Sequence, residues 1–420
     1  MIKVLSSAWA LLLGMMLLQV GNGMQGTLLG IRGQIEGFST LEISLVMSGY
    51  FVGFLFGSRM APEMIRRVGH VRVFAALASM ISAVMILYPT WTDPWVWGAG
   101  RILIGFCFSG VYVTAESWLN NAASNENRGK ALSLYMIVQM IGIVSAQGLM
   151  VVADPGGFVL FIIPSVLISL SFAPILLSIS PVPAFDTTKP MTLRQIMKTS
   201  PLGCVGMFLL GGIFSAQFGM AAVYGAEAGL RIGQISMFVS AFYIGALIIQ
   251  YPLGWLSDRM DRRLLIGVAS AMMGVGAVFG MLFGSFFPML LVSAFFVGGL
   301  SNPLYSLLIA YTNDFLQHED MAAASGGMVF INGLGAVAGP VITGWMMGVL
   351  GPRGFFVYIA FLGFAMAIYA AYRMTQRASP SVEDTDRYAL VTASSSPVAV
   401  TWAQEYAIDI AQEDAEEGKS

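Results

Sequence analysis

Charge is scarce in this chain of 420 residues: Asp, Glu, Lys and Arg together make up 10% of it, against 57% hydrophobic residues and a mean hydropathy of +0.76. Soluble domains carry about a quarter charged residues, so the shortage excludes a water-soluble enzyme. Cysteine and histidine are scarcer still. Cys107 and Cys204 lie in apolar runs, which excludes a disulfide framework and a thiolate metal site. His70 and His318 fall near the ends of apolar segments, and no His, Cys and carboxylate cluster has metal spacing. A membrane acyl or phosphoryl transferase would need convergent acids or a nucleophile and base, which Glu116 and His318 do not supply. The chain is therefore not expected to be an enzyme, to carry a cofactor or metal, or to bind nucleic acid.

Long apolar runs are what the sequence has. A bilayer core is about 30 Å thick and takes about 20 apolar residues per helix. Such runs fall near residues 7–30, 41–60, 71–90, 95–118, 130–152 and 158–180, then 201–226, 234–256, 264–285, 287–311, 323–349 and 354–375. The fold class that follows is an all-α polytopic membrane protein of twelve helices. Residues 1–180 and 201–375 each form a six-helix bundle, joined by a linker over 181–200. The first run has no small-residue cleavage site and reads as a retained span. Residues 376–420 hold nine acids against Arg377, Arg387 and Lys419, so the tail carries −6 and the remainder +4. Rich in Ser, Thr and Ala, the tail is expected to be a disordered acidic extension, with a short helix near Trp402 to Ala411 as the alternative.

Basic residues set orientation, because short loops rich in Lys and Arg stay in the cytoplasm. With the N-terminus inside, seventeen Lys and Arg fall on the inner side and only Arg32, Arg231 and Arg353 on the outer, with Arg101 left inside a span. Both termini and the linker are expected to be cytoplasmic, in the inner or plasma membrane. Trp91, Trp95 and Trp97 read as anchors at the outer boundary. A shift of 192 residues aligns Gly33 with Gly225, Gly37 with Gly229, Ile43-Ser44 with Ile235-Ser236, Ser48 with Ser240 and Gly53 with Gly245. Two parallel repeats related by an axis along the membrane normal belong to two-halved transporters.

The segment Gly254-Trp255-Leu256-Ser257-Asp258-Arg259-Met260-Asp261-Arg262-Arg263 resembles the loop motif G-x-x-x-D-R-x-G-R-R of the major facilitator superfamily, with Asp261 in the last glycine slot. The first-half counterpart keeps Arg67, Gly69 and Arg72 but has Arg66 where that family usually has the acid. Arg101-Ile102-Leu103-Ile104-Gly105 is similar to its R-x-x-x-G element. Ala115-Glu116-Ser117-Trp118-Leu119-Asn120, followed by Arg128-Gly129, resembles the YcaD-like branch. The resemblance implies a monomeric secondary transporter of a small-molecule substrate, working by rocking of two halves in the lipid bilayer.

Physically, Asp258 with Arg259, Arg262 and Arg263 suits a latch that holds one face closed. Arg67 belongs to the equivalent first-half loop, and Glu116 with Arg128 suits a gate ion pair. Glu116 is also the single candidate carrier if a proton is the coupling ion. Arg101 lies about 22 Å along the helix from Glu116, so the two serve different ends of the molecule. An arginine within a span needs water, an acid or substrate, which makes Arg101 the first candidate for substrate binding. Asn22, Gln25, Tyr135, Gln139, Gln217, Tyr243, Asn302, Tyr305 and Asn332 join it as polar groups on helices expected to face a cavity. These groups favour a small polar or anionic solute. A multidrug-type exporter and a non-transporting sensor of the same fold are the alternatives.

Overall fold

The structure is a computed structural model and describes residues 2–122, 128–177, 191–376, 388, 391 and 395–406. Helices α1 (Ile2–Ile35), α2 (Thr40–Val68), α3 (His70–Thr90), α4 (Pro94–Ala122), α5 (Arg128–Leu149) and α6 (Val159–Leu177) form the first bundle. A linker helix α7 (Leu193–Thr199) precedes the second bundle. That bundle comprises α8 (Pro201–Glu227), α9 (Ile232–Ser257), α10 (Arg262–Phe283), α11 (Phe287–Asn313), α12 (His318–Leu350) and α13 (Gly354–Gln376). A last short helix, α14, covers 397–406. With α7 and α14 set aside, these are the twelve spans of a polytopic membrane protein. Large apolar side chains face outward, Phe56 being 63%, Phe361 65% and Ile368 70% exposed, as a lipid-facing surface requires.

The repeat is built into the backbone. Gly37 and Gly229 end α1 and α8 with φ of 78° and 74°, a left-handed conformation that glycine adopts without steric cost. Phe38 N–H donates to Gly33 O and Leu230 N–H to Gly225 O, both at 2.9 Å, so the same cap recurs 192 residues on. A side chain at Gly33 would meet Ile43, and one at Gly225 would meet Ile235. Helix pairing follows the same symmetry: α1 packs on α5 and α8 on α12, α2 on α4 and α9 on α11, α3 on α6 and α10 on α13.

Lipid supplies no hydrophobic drive between helices, so close approach of backbones has to hold them together. Gly53 and Gly57 of α2 lie against the carbonyls of Ile102 and Phe106, while Gly105 of α4 lies against that of Tyr50. In the second half Gly245 meets Phe295 O and Gly298 meets Phe242 O. Trp97 departs from the anchor reading. Trp91 and Trp95 are exposed, but Trp97 is 1% exposed, and its indole N–H donates to the carbonyls of Tyr88 and Trp91. Asp93 caps α4 by accepting from the N–H groups of Trp95 and Val96, which turns Trp97 inward.

Of the tail, expected to be a disordered extension or to hold a short helix near Trp402 to Ala411, residues 376, 388, 391 and 395–406 are described; among them Val391, Ala399, Val400, Trp402 and Ala403 are each 3% exposed or less. Four of the five are apolar groups that the short helix α14 presents on a buried side, a pattern diluted by the acids around it.

Candidate functional site

The two halves enclose a central cavity of about 140 Å³. Helices α1, α2 and α4 contribute Gln19, Asn22, Gln25, Tyr50, Phe54, Arg101 and Tyr112 to its wall; α8, α9, α11 and α12 contribute Phe214, Phe218, Tyr243, Asn302 and Asn332. The first-half wall is polar and connected. Tyr112 Oη donates to Gln19 Oε1 at 2.8 Å, Gln19 Nε2 donates to Gln139 Oε1 at 2.8 Å, and Asn22 Nδ2 donates to Tyr112 Oη at 3.1 Å. The second-half wall is a ladder of rings: Phe214 stacks on Phe218 at 5.6 Å and Phe218 on Tyr243 at 5.4 Å. A π-helical turn at Ala216–Met220 interrupts α8 where Gln217 and Phe218 lie; such bulges widen a helix and re-aim its side chains.

Two groups in this wall have unused hydrogen-bonding capacity. Arg101 is 3% exposed, its guanidinium lies 4.9 Å from the centre of the Tyr50 ring, and its Nε and Nη1 have no hydrogen-bond partner. Gln25 is 1% exposed, with both amide atoms unpartnered. A buried polar atom left unpaired costs about 1–3 kcal/mol, more for a charged group, and among the described residues no carboxylate lines the cavity.

At one end the halves meet directly. Thr40 Oγ1 donates to Glu227, Ser48 Oγ donates to Val337 O at 2.6 Å, and Gly344 lies against Ser44. At the other end, the basic face that carries the basic loops, a cleft of about 440 Å³ separates α5 from α9 and is lined also by Tyr388 and Tyr406 of the tail.

The sequence model of the Major Facilitator Superfamily matches residues 11–231 and again residues 203–404, which spans both bundles. The chain belongs to the Major Facilitator Superfamily. It is 22% identical over 374 residues to uncharacterized MFS-type transporters YcaD of Salmonella arizonae and Salmonella heidelberg, covering 88% of this chain and 96% of each relative. Its fold is similar to that of the nucleoside transporter NupG, with a TM-score of 0.73, 13% identity and coverage of 86% of this chain and 98% of that one. It is also similar to a bacterial homolog of the human lysosomal transporter Spinster, with a TM-score of 0.64, 12% identity and coverage of 95% and 97%. At these identities the two structures speak for the fold alone.

Of the candidate binding residues, Arg101, Asn22, Gln25, Tyr243, Asn302 and Asn332 line the cavity. Asn302 and Asn332 are tied to the carbonyls of Gly298 and Met207. Tyr135, Gln139, Gln217 and Tyr305 lie behind the wall. Tyr135 donates to Glu116 at 3.1 Å, Gln139 holds Gln19, Gln217 is tied to Ser301, and Tyr305 packs on Phe214. Tyr50 and Tyr112 were absent from the candidates. Tyr112 follows Arg101 by eleven residues, three helical turns, a spacing that places both on one face of α4.

The superfamily's loop motif has its own geometry here. Arg262 pairs with Asp314 at the end of α11, both side chains 2% exposed, and its Nε donates to Ser257 Oγ at 3.2 Å. Asp258 lies 3.7 Å from Arg262 and accepts the N–H of Tyr388 at 2.8 Å. Arg263 pairs with Asp261 at 2.8 Å, and Arg259 stacks on Trp255 at 4.2 Å. Arg67 pairs locally with Glu63. Glu116 is fully buried and accepts from Tyr135 and from the N–H of Ser396. The side chain of Arg128 lies outside the described residues.

Breaking a buried ion pair by removing one partner costs about 3–5 kcal/mol, whereas replacing both by apolar groups is often neutral. Asp314→Asn is therefore expected to lower the melting temperature in detergent clearly, and Arg262→Met with Asp314→Leu to recover most of the loss. A double variant no more stable than Asp314→Asn would show that the pair does more than fasten α10 to α11.

Proposed function

We propose that the protein is a secondary transporter that carries a small polar or anionic solute across a cell membrane by alternating access, as a monomer, with the basic face in the cytoplasm. The carrying observation is Arg101: a buried guanidinium with two unpartnered nitrogens, in a cavity between the two halves that no acid among the described residues lines. One fixed positive charge complements one negative charge on a solute, and the planar fork suits a carboxylate. Gln25 offers an amide donor and an acceptor to the same cavity, while the ring ladder of the other half accepts a flat apolar body. A lipophilic cation, the usual load of a multidrug exporter, would meet the guanidinium as a like charge. The nucleoside transporter NupG shares the fold at 13% identity, which carries no substrate across to this chain.

Proteoliposomes test this reading. Uptake of radiolabelled benzoate is expected to be saturable and to compete with other small carboxylates, while benzamide, the neutral analogue of similar shape, competes far less. Equal competition by benzamide, or preferential uptake of a fluorescent lipophilic cation, would reject the anion assignment. For orientation, Thr92→Cys is expected to react with an impermeant maleimide from outside the cell and Lys198→Cys only after permeabilisation. Outside labelling of Lys198→Cys would invert the topology.

A further inference from the structure

We infer that the basic face contains a peptide-binding cleft whose ligand is the chain's own tail, and that this segment plugs the path to the central cavity. The inference rests on the transporter reading for its consequence and on geometry for the seat.

The tail touches both halves. On the first, Ser396 N–H donates to Glu116 Oε2 at 3.0 Å, and the Tyr406 ring lies against Gly129 of α5, where a Cβ would come within 2.0 Å of it. On the second, Gln404 Nε2 donates to Asn313 Oδ1 at 3.0 Å and Gln404 Oε1 accepts from Ser325 Oγ at 2.9 Å. Val391 exchanges two hydrogen bonds with Ser306, and Tyr388 N–H reaches Asp258. Trp402 is 0% exposed. Three backbone N–H groups of the tail thus bond to side chains of α4, of α11 and of the residue that caps α9, which is the acid of the loop motif.

A segment bound to both halves stabilises only the arrangement in which both contacts exist, so it opposes rocking between them by its whole binding free energy. Because it is covalently attached, its effective concentration is of millimolar order, and weak contacts suffice to keep it seated. Charge favours the same outcome: the tail carries −6 and the rest of the chain +4. Asp258 Oδ1 accepts from the Tyr388 N–H at 2.8 Å while Arg262 stands 3.7 Å from it, so release of the tail leaves Asp258 to the loop motif alone.

The test uses labelling, which needs no substrate. Gln25→Cys lies in the cavity without hydrogen-bond partners to disturb. A water-soluble methanethiosulfonate added from the basic face should modify it about tenfold faster in the chain ending at Gln376, and in full-length Trp402→Asp, than in the full chain. Ala403→Cys, at a fully buried tail position, should react about tenfold more slowly than Thr375→Cys, which is exposed on the same face. Equal rates for Gln25→Cys in all three chains, or for Ala403→Cys and Thr375→Cys, overturn the plug. Absent benzoate flux in the otherwise unchanged chain ending at Gln376, with these rate differences intact, would count against the transporter assignment and leave the plug standing.

Discussion

Arg101→Ala is expected to cut benzoate flux about 100-fold, and Arg101→Lys about tenfold or more, at matched protein in the membrane. A hydrogen bond to a charged group contributes about 1.5–3 kcal/mol, and each 1.4 kcal/mol is a factor of ten. Alanine removes the charge and both free donors. Lysine keeps the charge but loses the planar fork and the face that stacks on Tyr50 at 4.9 Å. An arginine snorkelling toward the outer boundary would tolerate lysine. Against that role, Arg101 is 3% exposed and lines the central cavity. Stability separates binding from scaffolding. A buried charge without a partner destabilises the empty carrier, so Arg101→Met should raise the melting temperature while abolishing flux. Near-normal flux in Arg101→Lys would remove this residue from the site, and a large drop in the melting temperature of Arg101→Met would make it structural.

Gly53→Val and Gly105→Val are expected to abolish folded protein. A Cβ at Gly53 would lie 1.8 Å from Ile102 O, and one at Gly105 would lie 1.9 Å from Tyr50 O. Both obstacles are backbone, so no rotamer change relieves them and α2 must part from α4. Overpacking a core costs about 1–3 kcal/mol where side chains can yield; here the whole helix contact is at stake, with no hydrophobic effect in lipid to restore it. Gly98→Ala, on the same helix as Gly105, meets nothing within 4 Å and serves as the control. The yield of monodisperse protein after detergent extraction should fall at least about tenfold for the valine variants and stay near normal for Gly98→Ala. Gly245→Val should repeat the loss, since Phe295 O stands in the same place in the second half. Normal yield of Gly53→Val would mean that α2 and α4 do not depend on this approach.

The sequence by itself determined the membrane, the twelve spans and the two-fold repeat. Those features depend on local quantities: twenty apolar residues cross a bilayer wherever they occur, and the pairs Gly33 and Gly225, Gly37 and Gly229 report the same cap whatever packs around them. It also singled out Arg101, because a charge in a span is conspicuous without any neighbour. Which polar groups share a wall with Arg101 is a different matter. Helical spacing put Tyr135 and Gln139 on one face but left open whether that face meets substrate or other side chains; packing turned them to Glu116 and Gln19. Tyr50 looked like any tyrosine in an apolar run until Gly105, lying against its carbonyl, brought α4 and α2 together. Arg262 found Asp314 in addition to Ser257 and Asp258 of its own motif, since the end of α11 arrives there only through the fold. The tail is the sharpest case. Its composition is that of a solvated segment, and only the cleft between the halves, made by residues distant in sequence, gives Ser396, Trp402 and Gln404 something to bind. Local periodicity governs what a helix is; which of its faces meets a partner depends on contacts distant in sequence, and those exist only once both bundles have assembled.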